Sequence, residues 1–153
     1  MKSVRGDLLQ LAREGVFDLI VHGCNCHCEM GAGIAKSIRG QFPAAYEADL
    51  ATTKGDRNKL GTYSSATVET ENHQLTIVNA YTQFDWAGGG VQADYDAIRR
   101  VFERISDHFS GRRIGYPKIG AGLAGGDWPT IEEIIDQALS GEDHTLVIFS
   151  PAS

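Results

Sequence analysis

The chain has 153 residues, 42 % hydrophobic and 22 % charged, with 14 Lys and Arg against 20 Asp and Glu and a formal charge of −6 at pH 7. That length suffices for one domain with its own core, so residues 1–153 are read as a single unit, and the negative charge argues against general attraction to nucleic acid or an anionic membrane. No stretch approaches the roughly 18 apolar residues of a membrane helix, and the opening MKSVRGDLLQ lacks a signal peptide's apolar run of about 7 to 15 residues, so the expectation is a cytoplasmic protein.

In chain order, residues 18–22 (DLIVH) form a short β-branched run of the kind that makes a buried strand. Ile34, Ile38 and Phe42 follow at helical spacing, and 52–61 (TTKGDRNKLG) reads as a surface loop. A weaker alternating strand covers 62–68 and a strong one 75–81 (LTIVNAY). Ile98, Val101, Phe102, Ile105 and Phe109 mark a second helix, RIGY at 113–116 another strand, Ile131, Ile134, Ile135, Ala138 and Leu139 a third helix, and TLVIF at 145–149 the last strand. Strands alternating with helices imply an α/β fold with a largely parallel sheet and helices on both faces. In such sheets ligands bind beyond the carboxyl ends of the strands.

Two of the loops at those ends share a design. Met30-Gly31-Ala32-Gly33 follows the first run, and Ile119 to Gly126 (IGAGLAGG) follows RIGY, each leading to a helix. Glycine lets backbone N–H groups approach a ligand closely, and a helix amino terminus adds about half a positive charge, so each turn is a candidate phosphate-binding loop and the pair suggests a diphosphate. The alternative is two tight strand-to-helix turns. Neither matches the G-x-G-x-x-G dinucleotide fingerprint or a P-loop. A third run, Gly88-Gly89-Gly90 after Trp86, would form a rim over the same end of the sheet.

Gly6-Asp7-Leu8, V-H-G-C-N-C from Val21, M-G-A-G-I-A from Met30, P-K-I-G-A-G-L-A-G-G-D-W from Pro117 and the aromatic ending the last strand together resemble the macrodomain family, whose members bind ADP-ribose. The resemblance covers nearly the whole chain. Its C-x-M-G-A-G-I-A stretch is similar to the branch of the terminal ADP-ribose protein glycohydrolase, and its H-x-C-N-C stretch to the ADP-ribose 1''-phosphate phosphatases. It implies a three-layer α/β/α fold around a central mixed, mostly parallel sheet, with a first strand before Gly6. By position, Asp7 would accept from the adenine amino group, Leu8 beside it would also meet the ligand, and Asn25 would bond the distal ribose. Gly31, Ala32, Gly33 and Ile34, with Gly120, Ala121, Gly122 and Leu123, would hold the phosphates, and Phe149 would stack on adenine. On the residues alone Asp7 can equally cap a helix, Asn25 close a turn and Phe149 lie in the core.

For catalysis the resemblance is incomplete. The glycohydrolase has a lysine after its central strand and an aspartate after the second turn's G-x-G-L; here those places hold Thr82 or Gln83, and Ala124. Lys36 and Lys118 lie elsewhere. Asp127 could orient water as a general base near the distal ribose, or cap the helix before Pro129. His22 could move a proton, or be a hydrogen-bonded structural group. Asp85, His27 and Asp94 are lesser candidates. Cys24, Cys26 and Cys28, alternating with His22 on one face of an extended segment, could ligate a metal or supply a thiol; small apolar packing is the preferred reading. The expectation is therefore a monomer, with neither metal nor cofactor, that binds ADP-ribose or an ADP-ribosylated substrate. It would hydrolyse an ADP-ribosyl group on protein or nucleic acid, or the 1''-phosphate; the alternatives are a non-catalytic reader of ADP-ribose and an RNA- or poly(ADP-ribose)-binding module, the latter disfavoured by charge.

Overall fold

The computed structural model describes residues 1–71, 73–85, 92–122 and 124–150. Six strands form one sheet: β1 (Lys2–Gly6), β2 (Leu19–Cys24), β3 (Tyr63–Glu69), β4 (Gln74–Tyr81), β5 (Arg113–Tyr116) and β6 (Asp143–Phe149), in the order β1-β6-β5-β2-β4-β3. All neighbours are parallel except β3, which pairs antiparallel with β4 at the edge. That edge position explains the alternating burial of β3, one face covered and one in water, against the nearly continuous burial of β2 and β4.

Five helices cover the two faces: α1 (Leu8–Arg13), α2 (Gly33–Gln41), α3 (Pro43–Leu50), α4 (Tyr95–His108) and α5 (Trp128–Ala138). Side chains alternate across the sheet as a strand's period of two requires. Leu19, Val21, Val78 and Ala80 pack with Ile98, Val101 and Phe102 of α4 and Ile131, Ile134 and Ile135 of α5. Ile20, Leu75 and Ile77 pack on the other face with Leu8, Leu9 and Ala12 of α1, Ile38 of α2 and Ala45 of α3. The three layers expected from the alternation and the resemblance are present.

Helix α3 has no counterpart in the hydrophobic periodicity. Its buried positions are Ala45 and Asp49, small and polar, so no apolar stripe marks it. Pro43 at its first position cannot continue α2 but starts a new helix without loss, which leaves Phe42 in the break between the two. Among the described residues no helix is long and apolar enough to cross a membrane. Trp86, the glycine run at 88–90 and Leu123 lie outside the described residues.

Candidate functional site

Because five strands run the same way, their carboxyl ends share one edge, and a cleft of about 490 Å³ opens there between the loops after β2 and β5. From the first loop it is walled by Asn25, Glu29 and the Gly31–Ala32–Gly33 turn with the start of α2; from the second by Pro117 to Gly120, Gly122 and Ala124; Gln83, after β4, closes one end. Ala32 is the N-cap of α2 and offers no side-chain bond to the helix, so the first-turn N–H groups face the cleft without a side-chain acceptor. Gly33 sits at φ +58, which an L side chain rarely adopts.

The second turn is built differently. Gly120 is at φ +75, and the Gly126 N–H donates back to the Gly120 carbonyl at 2.7 Å. A Cβ on Gly126 would stand 2.5 Å from that oxygen and 2.8 Å from Ile131 Cδ1, so glycine is what allows the loop to fold over α5. The helix it leads to starts only at Trp128, behind Asp127, whose Oδ2 accepts from the Thr130 N–H at 3.2 Å and the Thr130 hydroxyl at 2.6 Å. The dipole of α5 is thus answered by its own cap. Of the two turns expected to use a helix amino terminus, only the first presents one to the cleft, and the second offers backbone and loop geometry alone.

Beyond the cleft, at the β1/β6 end of the same edge, Gly6 pairs with Phe149 and the Ser150 N–H donates to the Gly6 carbonyl at 2.9 Å, which brings Asp7 beside Phe149. Phe149 is 73 % exposed, so it is not a core residue. Asp7 Oδ1 caps α1, accepting from the Leu9 and Gln10 N–H groups at 3.0 and 3.3 Å, and Leu8 is buried under the sheet. With strands about 4.8 Å apart, Gln83 at β4 and Phe149 at β6 are separated by roughly 14 Å across the sheet.

The profile of the Macro domain family matches residues 21–135. The chain belongs to the macrodomain family. An uncharacterized 17.5 kDa protein of Enterobacteria phage T4 is 35 % identical to this macrodomain, over 99 % of the chain and 97 % of the phage protein. The ADP-ribose 1''-phosphate phosphatase of Candida albicans is 26 % identical, over 90 % of the chain and 92 % of that protein. Two solved structures share the fold: the macrodomain of Thermus aquaticus DarG, with TM-score 0.74 and 24 % identity over 98 % of this chain and 97 % of that one, and Thermosipho africanus DarTG in complex with ADP-ribose, with TM-score 0.73 and 18 % identity over 97 % of this chain and 41 % of that one.

Within this macrodomain the two candidate acid–base residues do not line the cleft. His22 is fully buried in β2, its Nε2 2.6 Å from Asn79 Oδ1. Asn79 Nδ2 donates to the Ala45 carbonyl and to Ser64 Oγ, so Oδ1 is the acceptor and the imidazole proton sits on Nε2. Burial pushes the His22 pKa down to about 4, against a smaller opposing effect of the Asn79 bond, and the ring is neutral at pH 7. Asp127 is exposed and spent on its helix cap, with its N–H donating to Tyr95 Oη at 3.0 Å. Asp94 likewise caps α4. Ala121 also lies away from the cleft, packed toward the α4/α5 core, whereas Gly120 and Gly122 on either side of it line the wall.

Asn25 does line the cleft, and its side chain also shapes the loop: Oδ1 accepts from the His27 N–H at 2.8 Å and Nδ2 donates to the Glu29 carbonyl at 3.0 Å. The cysteines are all free and buried. They do not share one extended face, because β2 ends at Cys24 and Cys28 is at φ +58. Burial raises the Cys24 thiol far above its ordinary range and Cys26 to about 11, so both stay protonated. Among the described residues no group of His, Cys, Asp or Glu could hold a metal.

What braces the loop was missed in the sequence. The buried Lys59 donates through Nζ to the Cys26 carbonyl at 3.1 Å and lies 4.5 Å over the Tyr81 ring, while Tyr81 Oη donates to the equally buried Asp49 at 2.7 Å. Lys59 reads as a loop charge in TTKGDRNKLG, and nothing in that stretch marks it as buried. Glu29 was also missed as a cleft residue, its only signal being its place in the loop after β2; of Thr82 and Gln83, the two candidates for the glycohydrolase's lysine position, Gln83 lines the cleft.

Proposed function

We propose that this macrodomain binds ADP-ribose along the carboxyl edge of the sheet and hydrolyses an ADP-ribose derivative. The carrying observation is the uncapped amino terminus of α2 facing the glycine turn after β5 across one cleft, a pairing suited to a pyrophosphate. In this reading Phe149 stacks on the adenine and Asp7, whose Oδ1 is occupied by the cap, accepts from its amino group through Oδ2. Leu8 contributes backbone only. Asn25 bonds the distal ribose, Gly31, Ala32, Gly33 and Ile34 hold one phosphate, and Gly120 and Gly122 hold the other. His22 supports the strand under the ribose and Asp127 holds the second turn, rather than either meeting the substrate. The Thermosipho structure with ADP-ribose and the Candida phosphatase support this choice of ligand.

A non-catalytic reader is the second reading, favoured by Gln83 and the buried Ala124 at the cleft, which leave it without a lysine or aspartate at those two points. Calorimetry with ADP-ribose, followed on the same preparation by hydrolysis of Glu-, Asp-, Ser- and thymidine-linked ADP-ribose and of the 1''-phosphate, separates the two. Binding with turnover on one of these supports the hydrolase; binding with none establishes the reader; absence of binding removes both.

A further inference from the structure

Among the described residues lining the cleft, only Glu29 and Lys118 have a carboxyl or amine side chain. Both are exposed, and among the described residues neither side chain has an ion pair or hydrogen-bond partner. Lys118 opens the second turn and suits a phosphate. Glu29 does not, yet its backbone is held: Asn25 Nδ2 donates to its carbonyl at 3.0 Å on one side and the fully buried Met30 anchors the next residue. Glu29 therefore lines the cleft in the same loop as Asn25, where the proposed reading puts the distal ribose.

A carboxylate there sorts substrates by charge. A phosphate on C1'' would meet it as like charge, whereas cleavage of a ribosyl bond at C1'' builds positive charge on the sugar, which a carboxylate stabilises. We infer that Glu29 commits the site to the bond joining C1'' of an ADP-ribosyl group to its acceptor and selects against the 1''-phosphate monoester. The inference rests on the ADP-ribose reading above, and it sets this chain apart from the Candida phosphatase it resembles. In the reaction the bond from C1'' to the acceptor atom breaks and its electron pair leaves with the acceptor. A water oxygen forms the new bond to C1'', and the water's proton passes to Glu29 and on to the departing acceptor or solvent.

The test is Glu29→Gln, which removes the charge from an exposed side chain and leaves the melting temperature unchanged. Calorimetry on both proteins uses ADP-ribose and ADP-ribose 1''-phosphate, and kinetics use a glutamate-linked and a serine-linked ADP-ribosyl peptide and the 1''-phosphate. In the wild type the 1''-phosphate binds about tenfold or more weakly than ADP-ribose; in Glu29→Gln the gap closes while ADP-ribose affinity changes less than about threefold. Peptide hydrolysis falls about 10²- to 10³-fold in kcat with KM nearly constant, and Glu29→Asp recovers part of it. An unchanged affinity ratio in Glu29→Gln, or wild-type turnover of the 1''-phosphate faster than of both peptides, overturns the assignment while leaving ADP-ribose binding in place. Failure of the wild type to bind ADP-ribose overturns it together with the reading beneath it.

Discussion

Phe149 ends β6 with 73 % of its surface in water, next to Asp7 across the β1/β6 pairing. An exposed ring contributes little to the core, so Phe149→Ala is expected to leave the melting temperature within about 1 °C while weakening ADP-ribose binding by about 1 to 3 kcal/mol, read by calorimetry. His22 is the opposite case. Its folded pKa, about 4, lies below the ordinary 6.5 because burial penalises the imidazolium. The unfolded chain therefore takes up a proton between pH 6.5 and 4 that the folded one refuses. This contribution to stability is complete above about pH 6.5, falls on acidification through the window and is gone below about 4. The wild type should lose on the order of 2 kcal/mol more than His22→Gln between pH 7 and pH 4 in denaturant titrations at each pH. An equal slope in the two proteins would refute the buried neutral ring.

At the scale of elements, α2 and α5 start alike in the sequence, each after a glycine turn, and end up with different tasks. Ala32 leaves the start of α2 open to a ligand; Asp127 closes the start of α5. The difference predicts a contrast between adjacent positions. Gly126→Ala drives a Cβ into the Gly120 carbonyl and Ile131, so it should cost about 1 to 3 kcal/mol and weaken ADP-ribose binding as the turn shifts. Asp127→Ala should cost about 1 kcal/mol through loss of the cap and leave ADP-ribose affinity within about twofold, as urea unfolding and calorimetry on the pair would show. Loss of binding in Asp127→Ala with stability intact would return Asp127 to the site.

For the molecule as a whole, the sheet aligns every strand end that carries a site loop, and its opposite edge is tied by Asp18 and Arg113, at the starts of β2 and β5. Arg113 Nη2 and Nε donate to Asp18 Oδ1 and Oδ2 at 2.8 and 3.0 Å, and the guanidinium holds the Asp18 carboxyl down at about 2. A depressed carboxyl stabilises the fold above its unfolded value near 3.9 and ceases to do so as pH falls through 2. With side chains 35 % and 49 % exposed, the pair is screened, so Asp18→Asn should cost only about 1 kcal/mol at pH 7, and thermal melts of the two proteins should converge near pH 2. The sequence by itself determined the layers, since the continuous apolar runs of β2 and β4 mark strands covered on both faces and the helical spacing in α4 and α5 marks the faces that cover them. It also marked both glycine turns, because backbone freedom is a property of the residue. It did not reveal α3, whose buried positions are Ala45 and Asp49, nor the burial of Lys59, because those depend on what the neighbouring elements place over them. Only the tertiary structure decided that His22 is buried away from the cleft, that Asp127 is a cap and that Glu29 lines the wall: which side of a loop a residue takes is set by contacts distant in the chain, such as His22 with Asn79 and Lys59 with Cys26.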